Sequence, residues 1–191
     1  MSKSTDKFET YYAKNRREWH DWLNENHDKS KGIWLIYYKK DSGKPRVEYN
    51  EAVEEALSFG WIDSKVNILD DERYMQIFTP RKPGSKWSKT NKIRARKLIK
   101  NGLMQFAGME KMNAAKKDGS WTFLDDVEDL IIPEDLKLSL EQNTISKANF
   151  EAFSDSSKKQ ILYWIVSAKR HDTRLRRIKK TVELASENKK P

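Results

Sequence analysis

IDSKVNILDDERYMQIFTP, residues 62–80, reads as two β-strands joined by an acidic turn. In its second half Tyr74, Gln76 and Phe78 alternate with Met75, Ile77 and Thr79, the period of two that gives a strand two different faces. Upstream, EAVEEALSFG (residues 51–60) places Ala52, Val53, Ala56 and Leu57 on one helical face. Asn50 is the expected N-cap there, and Gly60 takes the left-handed position that ends a helix. Before it, GIWLIYYKK (residues 32–40) is β-branched and aromatic on both faces, which suits an inner strand. Residues 8–28 carry Phe8, Tyr11 or Tyr12, Trp19, Trp22 and Leu23 at spacings of three, four and seven, the stripe of an amphipathic helix. Together these segments predict an α+β fold, a small antiparallel sheet covered by the two helices.

Downstream the pattern turns helical. Ser88 is placed to cap a helix running to about Asn101, with Ile93, Leu98 and Ile99 inward, Lys89, Lys92, Arg96 and Lys100 outward, and Gly102 as the stop. GMEKMNAAKKDG (residues 108–119) is a further short helix, and SWTFLDDVEDLIIP (residues 120–133) is a mixed linker where a boundary is expected. That divides the chain into an α+β part, residues 1–122, and a helical part, residues 123–191, packed back on the sheet. In the helical part, PEDLKLSLEQN and SKANFEAFSD precede a long segment from Ser156 that Asp172 or Thr173 recaps midway.

The chain has 191 residues with seven Trp, seven Tyr and seven Phe, enough large apolar units for a core. It has no cysteine, which excludes disulfides, thiolate metal sites and cysteine nucleophiles. No apolar run has the length of a leader or a membrane span, so a cytoplasmic location without membrane insertion is expected. His20 and His27 are seven residues apart and His171 stands alone, which predicts no metal site. No nucleophile-elbow, dinucleotide or phosphate-loop motif occurs, so no cofactor is predicted.

The net charge of +9 is local. Residues 79–100, TPRKPGSKWSKTNKIRARKLIK, carry nine bases and no acid. Residues 168–180, AKRHDTRLRRIKK, carry seven bases and one acid, which leaves the rest of the chain with 22 bases against 28 acids. A concentrated excess aims a field at a ligand. In the first element the prolines hold Arg81 and Lys86 close to the end of the hairpin, where an arginine presents a planar fork to carboxylate or phosphate. Ser88, Asn91 and the N–H groups of the helix start add donors, and Trp87 is either a flat wall of the site or a plug in the core. In the second element Arg170, Arg174 and Arg177 fall on one stripe if the helix is unbroken. Their charge calls for a bound polyanion or for the chain's own acids, with Asp70, Asp71 and Glu72 or the acids of residues 125–129 as candidates. FGWIDS (residues 59–64) brings Asp63 to a helix–strand junction beside Lys65, either as a cap or as part of a polar site.

EEALSFGWIDS, DDERYMQIFTPRKPGSKWSKTN, GLMQFAGMEKMNAAKKDGSW and YWIVSAKRHDTRLRRIKKTVELA closely resemble the bacterial YdeI/OmpD-associated, or bacteriocin-protection, family. The likeness runs over nearly the whole chain, most specifically over residues 59–91. The family often has cysteine where Ser58 stands, arginine where Ile77 stands and proline where Phe106 stands, which weakens any role carried over to those positions. The resemblance implies a link to protection against bacteriocins or cationic peptides, with no established reaction or cofactor. It also implies that the basic segments 81–91 and 169–177 belong together.

The first expectation is therefore a binding protein for an anionic, phosphate-bearing small molecule, held by Arg81, Lys86, Trp87, Ser88, Asn91, Arg170, Arg174 and Arg177. A second is an enzyme acting on a phosphorylated small molecule, with Asp63 or Asp71 as acid or base. A third is sequence-tolerant nucleic-acid binding by the outer face of the basic helix, which ranks behind because no recognised nucleic-acid module is present.

Overall fold

The computed structural model describes residues 8–191, so residues 1–7 of the expected α+β part lie outside the described residues. The chain is α+β and divides into two compact units, one ending at Thr122 and one running from Phe123 to Pro191.

The hairpin is the centre of the first unit. Strands β3 (Trp61–Ile68) and β4 (Arg73–Pro80) pair antiparallel, and β4 pairs antiparallel on its other edge with β2 (Ile33–Tyr38). The turn is held by Asp70, whose Oδ1 accepts from the N–H groups of Glu72 and Arg73. A register shift between Asp63 and Val66 marks a bulge in β3. Tyr74, Gln76 and Phe78 lie opposite Tyr37, Leu35 and Ile33, on the face that the helices cover.

The sheet is mixed, because a short strand β1 (Thr10–Tyr12) adds to β2 in parallel. These residues fall in the stretch expected to be helical; α1 is confined to Arg16–Asn26, with the Asn15 side chain capping the Glu18 N–H. Helix α2 (Tyr49–Ser58) starts one residue before Asn50, at a capping box between Glu48 and Glu51. Its end agrees with the expectation, as Gly60 has φ 76° and donates to the Leu57 carbonyl. Helices α1 and α2 are joined by Glu55, which takes Arg16 at 2.5 Å and His20 at 2.8 Å, and by Trp19, whose indole donates to the Ala52 carbonyl. Beneath them Trp19, Leu35, Tyr37, Val53, Trp61 and Phe78 form the first core.

A second cluster in this unit collects Leu57 of α2, Trp87, Trp121, and residues of α3 (Lys89–Lys100) and α4 (Phe106–Asp118). Here α3 is turned relative to expectation. Ala95, Leu98 and Lys92 face inward, while Ile93 is 57% and Ile99 39% exposed. The cause is the Trp87–Trp121 pair, with ring centroids 4.9 Å apart; the Lys92 ammonium lies 5.5 Å from the Trp121 ring, so its stem covers the aromatic surface. Gly108 lets α4 close on α2, because a Cβ there would fall inside contact distance of the Ser58 carbonyl.

The second unit is helical: α5 (Asp125–Glu128), α6 (Glu134–Glu141), α7 (Thr144–Ala152), α8 (Asp155–Val166) and α9 (His171–Ser186). Leu136, Phe150, Leu162, Ile165 and Ile178 are its core. The long segment breaks between α8 and α9, and α9 starts after Arg170, two residues ahead of the expected recap at Asp172. Ser146 and Asn149 of α7 tie it to α9 by donating to the Val182 and Ala185 carbonyls. No helix among the described residues is long and apolar enough to cross a membrane.

The α2–α4 approach yields a stability test. Gly108→Ala is expected to lower the unfolding free energy by about 1–3 kcal/mol through overpacking. Asn113→Ala, exposed on the same helix, should stay within about 0.5 kcal/mol of the parent in the same urea titration.

Candidate functional site

At the end of the hairpin the backbone keeps one more pairing: the Arg81 N–H donates to the Gly60 carbonyl at 2.9 Å. The side chain then enters the second cluster, where it is only 2% exposed. Its guanidinium carbon lies 4.0 Å from the centre of the Trp87 ring, in cation–π contact. Nη1 donates weakly to the Lys86 carbonyl at 3.4 Å. Nε and Nη2 have no hydrogen-bond partner among the described residues. Burial pushes the pKa of Arg81 down to about 10, and the charge of Asp63 partly offsets the fall.

A cavity of about 60 Å³ opens against this side chain, lined also by Lys82, Ser85, Trp87, Lys111 and Ser120. That is room for a few waters or for a small oxyanion. The loop over it is fixed at both ends. Gly84 turns at φ 73°, its N–H donates to Asp118 Oδ2 at 3.1 Å, and Asp118 Oδ1 accepts from the Ser120 N–H at 2.9 Å. Gly119, at φ 82°, ends α4 and allows Ser120 to reach back, where its carbonyl accepts from the Trp87 N–H. Asp118 lies on the rim with both oxygens already hydrogen-bonded, so it acts as a clasp for the loop.

Of the residues expected at the site in this unit, Arg81 and Trp87 line the cavity, while Lys86 does not and meets Arg81 only through its backbone carbonyl. Trp87 is at once core and wall: its ring is 1% exposed, and one face carries the guanidinium. Ser88 caps α3, accepting from the Asn91 N–H at 3.3 Å. Asn91 accepts from Arg94 Nη1, whose Nη2 reaches Asn50. Ser88 and Asn91 thus organise the helix start and do not line the cavity. Lys111 and Ser120 line it without having been anticipated; in the sequence they read only as part of a short helix and its stop.

Asp63 accepts from Gln76 Nε2 at 2.8 Å and from the Tyr49 hydroxyl at 3.2 Å. Beside them Tyr37, stacked on Tyr74 at 5.0 Å, is fully buried with its hydroxyl unpartnered among the described residues; burial drives its pKa well above the ordinary phenol range. Asp71 is exposed in the hairpin turn, while its neighbour Asp70 pairs with Arg73 at 2.6 Å. Neither Asp63 nor Asp71 lines the Arg81 cavity.

The three remaining candidates belong to the second unit. Arg170 is the N-cap residue of α9. Arg174 grips Asp135 of α6 through Nε at 2.6 Å and Nη2 at 2.8 Å. Arg177 donates to the Trp164 carbonyl and to Ser167 Oγ, with its guanidinium 5.1 Å from the Trp164 ring. The acid that answers Arg174 is therefore Asp135, outside both expected groups, because the start of α6 packs against α9. Among the described residues no group of three or more His, Asp or Glu is placed to hold a metal ion.

The Arg174 fork holds the Asp135 carboxyl below its ordinary value of 3.8. A depressed carboxylate adds stability that is full above its unfolded pKa and lost as pH falls through the folded one. Arg174→Gln should therefore cost about 1 kcal/mol or less near neutral pH, since the pair is partly exposed, and nothing extra in acid. Urea midpoints of parent and variant, separate near pH 7 and converging by about pH 2, check this.

A family model described as a domain of unknown function, DUF8412, matches residues 11–111, the region that holds the hairpin, Arg81 and the first part of α4. A second model, described as Bacteriocin-protection, YdeI or OmpD-Associated, matches residues 129–188, the helical region from α6 to α9. No curated protein and no solved structure matches the chain.

Proposed function

We propose that this chain, which belongs to the DUF8412 family and carries a YdeI/OmpD-associated region over residues 129–188, binds a small oxyanion in the cavity at Arg81. The observation that supports the reading is a buried guanidinium with two nitrogens unanswered among the described residues, beside a small cavity that Lys82 and Lys111 also line. Leaving a buried charge uncompensated costs several kcal/mol, a large part of the usual 5–15 kcal/mol of net stability. An oxyanion supplies the two missing acceptors and the missing charge together, and the planar fork suits phosphate or carboxylate. Bacteriocin protection enters this proposal only through the description of the second family.

Binding is preferred to turnover because the acid on the rim, Asp118, has both oxygens engaged by backbone N–H groups. Asp63 serves the site electrostatically, holding Arg81 charged from outside the cavity. The nucleic-acid reading loses support because Lys92, expected on the outer face of α3, is buried, and Lys97 on that helix pairs with Glu54 at 3.3 Å.

Arg81→Met separates function from folding. With the uncompensated charge gone, the variant is expected to unfold at the same or a higher urea concentration than the parent in anion-free buffer, a gain on the order of 1 kcal/mol. Calorimetric titration with inorganic phosphate should show heat with the parent and none with the variant. The double change Arg96→Gln, Lys100→Gln on the exposed face of α3 should leave phosphate binding intact. A variant that folds and still binds phosphate as the parent does contradicts the proposal.

A further inference from the structure

A second cavity, of about 490 Å³, adjoins the first within the same unit. The two share one side chain, Lys111, and take consecutive backbone residues: Pro80 lines the larger and Arg81 the smaller. Between them run the Gly60 backbone and the Lys111 stem. A Cβ at Gly60 would fall 2.7 Å from Lys111 Cγ, so the lysine lies directly on the glycine. Gly60 also needs its φ of 76°, which gives the position two reasons to lack a side chain. The partition is thus the Lys111 stem together with the Ala107 backbone of α4, laid on Gly60.

The two cavities differ in chemistry. The smaller receives three bases and one clasped carboxylate. The larger is bounded by Phe59 and Trp61, only 3% and 1% exposed, and carries one open ring, Phe106, on its rim at 78% exposure. The walls are pinned: the Trp61 indole donates to the His27 carbonyl at 3.0 Å, and the Phe59 and His27 rings lie 5.1 Å apart. Two acids, Asp28 and Glu110, also line it and oppose entry of a second anion. Its volume falls in the range of small-molecule sites, which runs from about 300 to 1,000 Å³. Amide and hydroxyl groups from Asn24, Ser30 and Gln105 give it polar contacts for the edges of a flat ligand.

Resting on the oxyanion reading above, the geometry points to one bipartite site for a phosphate monoester with a planar, heteroaromatic body of the nucleoside monophosphate kind. The phosphate goes to the Arg81 cavity and the ring lies against the exposed face of Phe106. Lys111 is the divider, free to swing its ammonium onto the phosphate as the ester bridges the two cavities. The acids of the larger cavity fix the direction, since a ligand entering the other way round would set its charge against Asp28 and Glu110. Phe106, a large ring held mostly in water, gains a partner only when the body of the ligand is present.

The test titrates the full chain with inorganic phosphate, methyl phosphate, phenyl phosphate and adenosine monophosphate. The parent should bind the two ring-bearing esters at least about tenfold more tightly than methyl phosphate. Phe106→Ala, at an exposed position, should erase that preference while leaving inorganic phosphate affinity within about twofold. Lys111→Met should weaken every ligand. If inorganic and methyl phosphate bind but the ring-bearing esters bind no better, or if Phe106→Ala keeps the preference, the bipartite site is wrong and the oxyanion reading stands. If no phosphate binds to the parent at all, the oxyanion reading fails and takes this inference with it.

Discussion

A guanidinium lying on the Trp87 ring with two donors unanswered is the constraint around which the first unit is organised. Charged groups are buried at a cost of several kcal/mol unless something answers them. Among the described residues the answers to Arg81 are partial: a long hydrogen bond from Nη1 to the Lys86 carbonyl, the face of an indole, and the field of Asp63. The shortfall is local and lies beside a cavity, and an unsatisfied buried group of this kind asks for an explanation.

The scaffold keeps that group in place. The hairpin ends beside Gly60, so the chain leaves β4 with Arg81 directed under the end of α2. The loop cannot relax toward water, because Asp118 fastens Gly84 and Ser120 and the Ser120 carbonyl holds the Trp87 N–H. Trp121 packs against Trp87, with Lys92 drawn in over the Trp121 ring. Asp63 is fixed in turn by Gln76 and Tyr49, so the compensating charge and the guanidinium are both held by regular structure. Regular structure thus fixes where the guanidinium and the compensating carboxylate stand.

The hairpin and the ends of α2 and α3 were legible because alternation, Gly60 and Ser88 are local signals. Strand β1 was not, since three residues with helix-compatible aromatic spacing cannot show a parallel partner that lies more than twenty residues away. The face of α3 was misread for a related reason. Ile93 and Ile99 look inward by hydropathy, but the indole pair beneath the helix is covered better by the long stem of Lys92. Arg81 stands out in the sequence as a candidate from its place at the end of a strand within a basic run. Its burial was not legible, and neither were Lys111 and Ser120, whose approach to the cavity depends on α4 docking through Gly108. Trp87 belongs to the core, and its ring carries the Arg81 guanidinium.

The central claim is that Arg81 is a charged group waiting for acceptors, and the Arg81 Nε–H signal in a proton–nitrogen correlation spectrum reports on it directly. In phosphate-free buffer, addition of inorganic phosphate is predicted to move that signal downfield and slow its exchange with water, saturating as the site fills, while the Arg174 Nε–H signal, already bonded to Asp135, stays where it is. An Arg81 signal that neither moves nor gains protection at any phosphate concentration would contradict the account.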